Sequence, residues 1–384
     1  MNEKEVREIR KRFRADRGNI NSVFGCYVNE SRKIVSMFEQ PLVGVAQEET
    51  EQYLGLMKKT LSGTLGKNLV ELAFSTQQVM DSDEHRLLSM LRSSGLKDDT
   101  LLTTFFEQVI AHLTIEGNYL ILLTHDVYAV PHHAKEDAMQ QGVSDEEFPY
   151  ILCAVCPVKL TQPGLSYFSR ENRFRTSERG WSASAPELGF LFPAFDDRAA
   201  NIYGTLYYTK DEAQNHQEFI DGMFHAEPPM PAAAQKETFQ SLLTESLREE
   251  CSLEVMQTVQ EQIGELIDQH KQNKEPEMLV VSKKELGTIL SASGVSKERI
   301  ETFETQFDAQ FGEDAEIPPT NVVDCKHFEI RTPDVVIKVN PERSDLVETR
   351  VINGSKYILI CADGGMEVNG VPVRISEESK PVAR

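Results

Sequence analysis

Gly189-Phe-Leu-Phe-Pro-Ala-Phe-Asp-Asp-Arg198 is the stretch on which the reading of this chain turns. Phe190, Leu191, Phe192 and Phe195 make an apolar run too short and too aromatic for a helix, so it predicts a buried strand. Pro193 has no backbone donor and marks a strand edge or a bulge. The run then stops at two carboxylates and a guanidinium. That places Asp196, Asp197 and Arg198 at a strand end, where side chains from different elements converge on ligands. Two readings stay open. In one, Asp196 and Asp197 hold a divalent cation through hard carboxylate oxygens and Arg198 binds a phosphate. In the other, Asp196 caps a turn or helix and Arg198 pairs with one of the aspartates.

Working outward, strand patterns recur at 150–158, 165–168 and 202–208, with turns at Pro163-Gly164 and Gly180 and no regular helix between them. This spacing predicts an α+β domain with a mixed or mostly antiparallel sheet. Upstream, Leu102, Phe105, Phe106, Val109, Ile110 and Leu113 keep a strict helical spacing behind an Asp98 or Asp99 cap. The chain then passes through Gly117-Asn118 into the apolar strand 119–124, which is expected to end at His125-Asp126. His125 and Asp126 could complete a site with Asp196 and Asp197, since imidazoles and carboxylates serve both as metal ligands and as proton carriers. Nothing in the sequence brings the two pairs together, and a satisfied strand-end histidine is the alternative.

Residues 3–14 predict an amphipathic helix with Val6, Ile9 and Phe13 on one face and Arg7, Lys11 and Arg14 on another. Seven basic and four acidic side chains in residues 1–17 give a local charge of +3. Such a stripe could meet an anionic partner, or lie solvated against the protein's own acidic surface. A hairpin follows at 20–28 and 34–38, then a helix near 49–61. Ser62-Gly-Thr-Leu-Gly-Lys-Asn68 looks like a phosphate loop, but Leu61 and Asn68 stand where that pattern needs Gly and Ser or Thr. A glycine-rich helix exit accounts for it.

Residues 132–148 read as an acidic loop whose His132-His133 pair lacks metal-ligand spacing. Residues 226–234 have the composition of a linker. Beyond them, Phe239, Leu242, Leu243, Leu247, Cys251, Val255, Val259, Ile263 and Ile267 trace a long helical stripe with a kink near Ser252. Ser282 and Glu285 form a capping box, Gly294 ends that helix and Ser296 starts the next. The pair has a helix-turn-helix outline, but its second helix carries two basic and four acidic groups, the wrong sign for a major-groove reader. After a break at 313–319, short strands return, with Asn353-Gly354 and Asn369-Gly370 as hairpin turns. The domain plan is an α+β main domain over 1–225, an acidic helical segment over 237–311 and a small C-terminal β module over 321–376.

Among 384 residues, 61 acidic side chains against 40 basic ones give a net charge of -21. That charge repels phosphate backbones, so no nucleic-acid partner is expected. No apolar run is long enough to span a bilayer, so no membrane is expected either, and the chain reads as cytoplasmic. Six cysteines are too few for a disulfide scaffold. Cys153 and Cys156 lie in a strand pattern, away from the helix N-terminus a redox pair needs, and no second pair completes a zinc site.

Several stretches together resemble a bacterial family, domain of unknown function 4317. They are Gly25-Cys-Tyr-Val-Asn29, Lys59-Thr-Leu-Ser-Gly-Thr-Leu-Gly-Lys67, Leu152-Cys-Ala-Val-Cys-Pro157, Gly189 to Arg198, and Thr332-Pro-Asp-Val-Val-Ile-Lys-Val-Asn-Pro-Glu-Arg343. The resemblance implies a bacterial cytoplasmic protein and no catalytic residue. No complete nucleotide loop, metal quartet, catalytic triad or nucleophile elbow is visible, which favours a non-catalytic binding or regulatory protein with a protein partner or a small ligand. The alternative is an enzyme acting on a phosphate-containing small molecule. It would use Mg or Mn on Asp196 and Asp197, Arg198 on the phosphate, and His125 and Asp126 as further catalytic candidates.

Overall fold

The computed structural model describes residues 1–16, 20–131, 146–161, 164–168, 172–176, 180–324 and 326–373. The acidic loop expected from 132, with its His132-His133 pair, lies up to residue 145 outside them. The chain forms two compact units, one of Met1–Gln235 with Glu275–Met278, the other of Lys236–Lys274 with Leu279–Arg384.

In the first unit the order is α1 (Glu3–Arg10), β1 (Ser22–Val28), β2 (Ile34–Pro41), α2 (Gln47–Lys59), β3 (Leu69–Ala73), α3 (Thr76–Asp81), α4 (Asp83–Ser94), α5 (Asp99–His112), β4 (Asn118–Val130) and β5 (Glu146–Thr161). Then come β6 (Leu165–Phe168), β7 (Arg173–Thr176), β8 (Gly180–Ala183), β9 (Leu188–Phe192), β10 (Ala194–Asp196), β11 (Ala199–Asn201), β12 (Gly204–Thr209) and α6 (Gln217–Phe224). Seven strands pair in the order β2-β1-β4-β5-β9-β12-β3, with β8 also on β5. Every pairing between these strands is antiparallel.

Alternate residues of the central strands enter different cores. Leu123, Cys153, Phe190 and Phe192 pack with Leu88, Phe105, Phe106 and Phe224 of α4, α5 and α6. Leu122, Leu152, Cys156, Leu191 and Phe195 pack with Val6, Ile9, Leu54 and Met57 of α1 and α2. Burial on both faces explains why these strands read as unbroken apolar runs rather than alternating ones. It also sends Cys153 and Cys156 to opposite faces, so that the two thiols cannot bridge without moving the backbone. Burial pushes the Cys156 thiol up to about 12 and Cys153 further still. Gly189 is required where β9 crosses β5, since a Cβ there would lie 2.4 Å from the Cys153 carbonyl oxygen.

The quoted run is therefore central in the sheet rather than at its edge. Pro193 divides it into β9, which lies between β5 and β12, and β10, which pairs with β11. A second expectation also changes: the strand does not end at residue 124. β4 continues through His125 and Asp126 to Val130, opposite β5 at every position.

The second unit begins within α7 (Ala232–Leu247), whose first residues lie inside the segment with linker composition. The long apolar stripe breaks at Arg248–Glu250, and Ser252 caps α8 (Leu253–Asn273) by accepting from the Val255 N–H. β13 (Val281–Ser282) leads into α9 (Lys283–Ala292), which carries the Ser282–Glu285 capping box. α10 (Lys297–Phe311) starts after Ser296, whose N–H and hydroxyl both donate to the Glu250 carboxylate at 2.8 Å. β14 (Glu316–Ile317) pairs with β13, and α11 (Pro319–Val322) follows. Phe239, Leu243, Val259, Ile263, Leu286, Leu290, Phe303 and Phe307 fill this core.

Three successive hairpins end the described chain: β15 (Phe328–Arg331) with β16 (Val336–Val339), β17 (Val347–Ile352) with β18 (Ser355–Ile360), and β19 (Met366–Val368) with β20 (Val371–Val373). Asn353-Gly354 and Asn369-Gly370 turn two of them with positive φ at both residues, as a tight two-residue hairpin requires.

Candidate functional site

The N-terminal helix organises the polar chemistry of the first unit. Asn2 caps it, accepting from the Lys4 and Glu5 amides at 3.1 Å while the Glu5 carboxylate accepts the Asn2 N–H at 2.8 Å. Burial of Val6, Ile9 and Phe13 against the sheet fixes the roll of the chain here. Beside that apolar stripe, Glu5, Glu8 and Arg12 recur at i, i+3 and i+7 and therefore follow one another along the helix face and its C-terminal exit. All three bond to groups distant in sequence.

Arg12 forms a bidentate pair with Asp126, Nε to Oδ2 at 2.8 Å and an Nη to Oδ1 at 3.0 Å. The Tyr150 hydroxyl donates to the same Oδ2 at 2.9 Å. Asp126 is buried, so its charge is tolerated only because three donor contacts replace water. Burial opposes the Arg12 charge, but the hydrogen bond and the charge of Asp126 outweigh it and hold the guanidinium above its ordinary pKa. Burial and the Asp126 charge together push Tyr150 well above the usual phenol range.

Arg12 also stacks over the Tyr128 ring, 4.9 Å from its centroid, and the Tyr128 hydroxyl donates to Glu8. Burial, then that hydrogen bond, pushes Tyr128 up to about 12. Glu8 receives the Arg198 guanidinium at 3.1 and 2.8 Å, and Arg198 donates further to the Pro131 carbonyl at 2.8 Å. One continuous network thus runs from Tyr150 in the sheet to the β10–β11 hairpin.

Asp197 and Arg198 are the two central residues of that hairpin, both with positive φ, 48° and 61°. Asp and Arg bear this only where surrounding bonds overdetermine it. Here the Arg198 amide donates to Glu5 Oε1 at 3.3 Å and its side chain is held by Glu8. Arg198 therefore pairs with Glu8 and not with either aspartate, a correction to the expected turn pairing. Its two terminal guanidinium nitrogens are engaged by Glu8 and the Pro131 carbonyl.

Glu5, Asp196 and Asp197 bring three carboxylates together, with one oxygen from each lying within 4.8 Å of the others. This is a hard, oxygen-only donor set suited to Mg, Mn or Ca. Asn201 donates to Asp196 at 3.3 Å, and the Met1 ammonium lies 2.7 Å from Glu71 and 3.6 Å from Asp196. Burial pushes the Glu5 carboxyl up against the amides of Asn2 and Arg198, which pull it down. Alongside, a groove of about 640 Å³ is bordered by Lys4, Arg7, Lys11, Arg12, Tyr128 and Arg198.

Of the residues singled out from sequence, the structure brings Asp196 and Asp197 together with Glu5, and links Asp126 to Arg198 through Arg12, Tyr128 and Glu8. It does not bring in His125. As neighbours on one strand, His125 and Asp126 point to opposite faces. His125 lies beneath the end of α4, where a Cβ on Gly95 would be 3.7 Å from its ring. Glu5, Glu8, Arg12, Tyr128 and Tyr150 escaped notice. The one available signal was the i, i+3, i+7 spacing beside the apolar stripe of the first helix.

No described helix is long and apolar enough to cross a membrane. A comparison with curated proteins finds no match. A family model spans residues 1–371, and the chain accordingly belongs to the family described as Domain of unknown function (DUF4317).

Proposed function

We propose that this is a non-catalytic binding or regulatory protein whose binding face is the groove along the N-terminal helix. The observation that carries this reading is the internal consumption of the groups a catalyst would need. Asp126 is held by Arg12 and Tyr150, and Arg198 by Glu8 and a backbone carbonyl. A phosphoryl-transfer site would instead keep guanidinium and metal-binding carboxylates open toward one point. Lys4, Arg7 and Lys11 stay exposed along the groove, so what this surface offers a partner is charge and shape. The test is a thermal-shift series with Mg, Mn and phosphate esters, singly and together. The binding reading expects no joint metal and phosphate stabilisation and no ester hydrolysis. A saturable joint shift with turnover would overturn it.

The carboxylate cluster supports a second reading, a divalent cation held by Glu5, Asp196 and Asp197 without any phosphate chemistry. Close like charges destabilise the empty site. A cation-dependent rise in melting temperature that disappears in Asp197→Asn, while phosphate esters add nothing, would select this reading.

A further inference from the structure

β17 and β18 form a two-stranded sheet of their own, and among the described residues no strand pairs with the outer edge of β17. The direction of its backbone groups follows from the ladder. The Cys361 N–H donates to the Leu346 carbonyl at 2.8 Å, so these two residues are a hydrogen-bonded pair that continues the register of Val347 with Ile360. Such pairs alternate along an antiparallel ladder, so Glu348, Arg350 and Ile352 direct their N–H and C=O groups to β18. Val347, Thr349 and Val351 direct theirs outward. The Val347 carbonyl agrees, since it accepts from Gln257 of α8 at 2.9 Å. Thr349 and Val351 lie beyond that tie and are exposed, Val351 to 69%. A two-stranded hairpin is marginal alone in water, and further strands stabilise it.

We propose that this edge recognises itself, two copies of the chain pairing antiparallel through β17 about a two-fold axis at Thr349. The stretch Leu346-Val-Glu-Thr-Arg-Val-Ile352 is complementary to its own reverse. With Thr349 opposite Thr349 of the partner subunit, Glu348 faces the partner's Arg350 and Arg350 faces the partner's Glu348. Val347 faces the partner's Val351, and Leu346 faces the partner's Ile352, so the exposed apolar end of each strand meets the covered end of the other. Moving the axis to Glu348 or Arg350 would set like charges face to face, which is destabilising. The backbone favours the same centre. The outward groups of Thr349 meet those of the partner's Thr349 as a hydrogen-bonded pair, and the Val347 N–H meets the carbonyl of the partner's Val351. Within one copy Arg350 already lies 2.9 Å from Glu348, so the two pairs join into one cluster of alternating sign. The product is a four-stranded antiparallel sheet with an isologous interface. One strand pair is a small contact, so the dimer is weak and reversible and the dilute chain is monomeric.

The experiment is sedimentation velocity of the full chain from about 5 to about 300 µM. The expected result is a reversible monomer–dimer equilibrium. Glu348→Arg and Arg350→Glu are each expected to weaken it about tenfold, since either change sets like charges across the axis twice. Mixed in equal amounts, the two variants are expected to associate again as a heterodimer, because every Arg then faces a Glu. Thr349→Pro is expected to abolish association. It removes an N–H that the ladder to β18 does not use, and an edge strand tolerates proline there. The proposal fails if the chain stays monomeric throughout, or if the mixture associates no better than either variant alone. It also fails if a dimer survives Thr349→Pro and both charge variants unchanged, which would place self-association on another surface.

Discussion

The sheet of the first unit and the C-terminal hairpins are both antiparallel β structure, yet they are stabilised in different ways. In the sheet, both faces of β4, β5 and β9 are covered, and Ile151, Leu152, Cys153, Leu191 and Phe192 are fully buried. Slipping any of these strands by one residue would exchange one core's side chains for the other's, so packing specifies register. In the hairpins, Val351, Ile360, Val368 and Val371 are among the exposed apolar side chains, and among the described residues no hairpin pairs with another. Turn chemistry at Asn353-Gly354 and Asn369-Gly370 sets the register of two of them instead, and Gln257 ties the segment to α8 through the Ser344 and Val347 carbonyls at 2.7 and 2.9 Å. Similar propensity therefore yields structure of very different stability, because burial supplies most of the free energy.

That contrast can be broken most sharply at Phe192. Phe192→Ala is expected to cost about 3–5 kcal/mol in chemical denaturation, the range for an aromatic removed from a close-packed core. A cost below about 1 kcal/mol would mean that the sheet tolerates loose packing. Arg12→Ala should cost about 3 kcal/mol, since it leaves the Asp126 charge buried with only Tyr150 as donor.

A smaller effect is expected at Glu5. Its folded pKa lies above the ordinary 4.5, so the stability it contributes is complete below that pH and fades as pH rises through the folded value. Glu5→Gln keeps the capping bond to Asn2, so it should flatten this part of the stability profile and leave stability at pH 7 equal or up to about 1 kcal/mol higher. Urea melts from pH 3.5 to 7 would show it, and a marked loss at pH 7 would contradict it. The smallest effect is expected in the hairpins, where Ile352→Ala should change global stability by no more than about 0.5 kcal/mol. A larger loss in the same denaturation assay would show that the hairpins are covered in solution.

The fold was legible where one periodicity or one cap decided the outcome. The α5 stripe behind Asp98, the Ser282–Glu285 capping box and the Asn-Gly turns all stand where their local chemistry places them. The antiparallel character of the sheet followed from strands recurring without intervening helices. Legibility failed where a residue's meaning depends on a partner far along the chain. His125-Asp126 reads as a strand end because two polar residues follow an apolar run, yet both are accommodated inside β4. Asp126 is neutralised by Arg12, 114 residues away. Arg198 beside two aspartates reads as their partner, but the hairpin turns its side chain to Glu8, 190 residues away. Such pairings leave no local trace, because each partner alone is an ordinary surface residue type.

The proposal that Arg198 serves the fold through Glu8 rather than a ligand is tested most directly by a double-mutant cycle on Glu8→Gln and Arg198→Gln in the absence of any added ligand. The partly buried pair, in which one Arg198 nitrogen donates to both Glu8 oxygens, predicts a coupling free energy of about 1–2 kcal/mol in favour of the wild-type pair. Additivity within about 0.3 kcal/mol would contradict the account and return Arg198 to the pool of groups free to bind substrate.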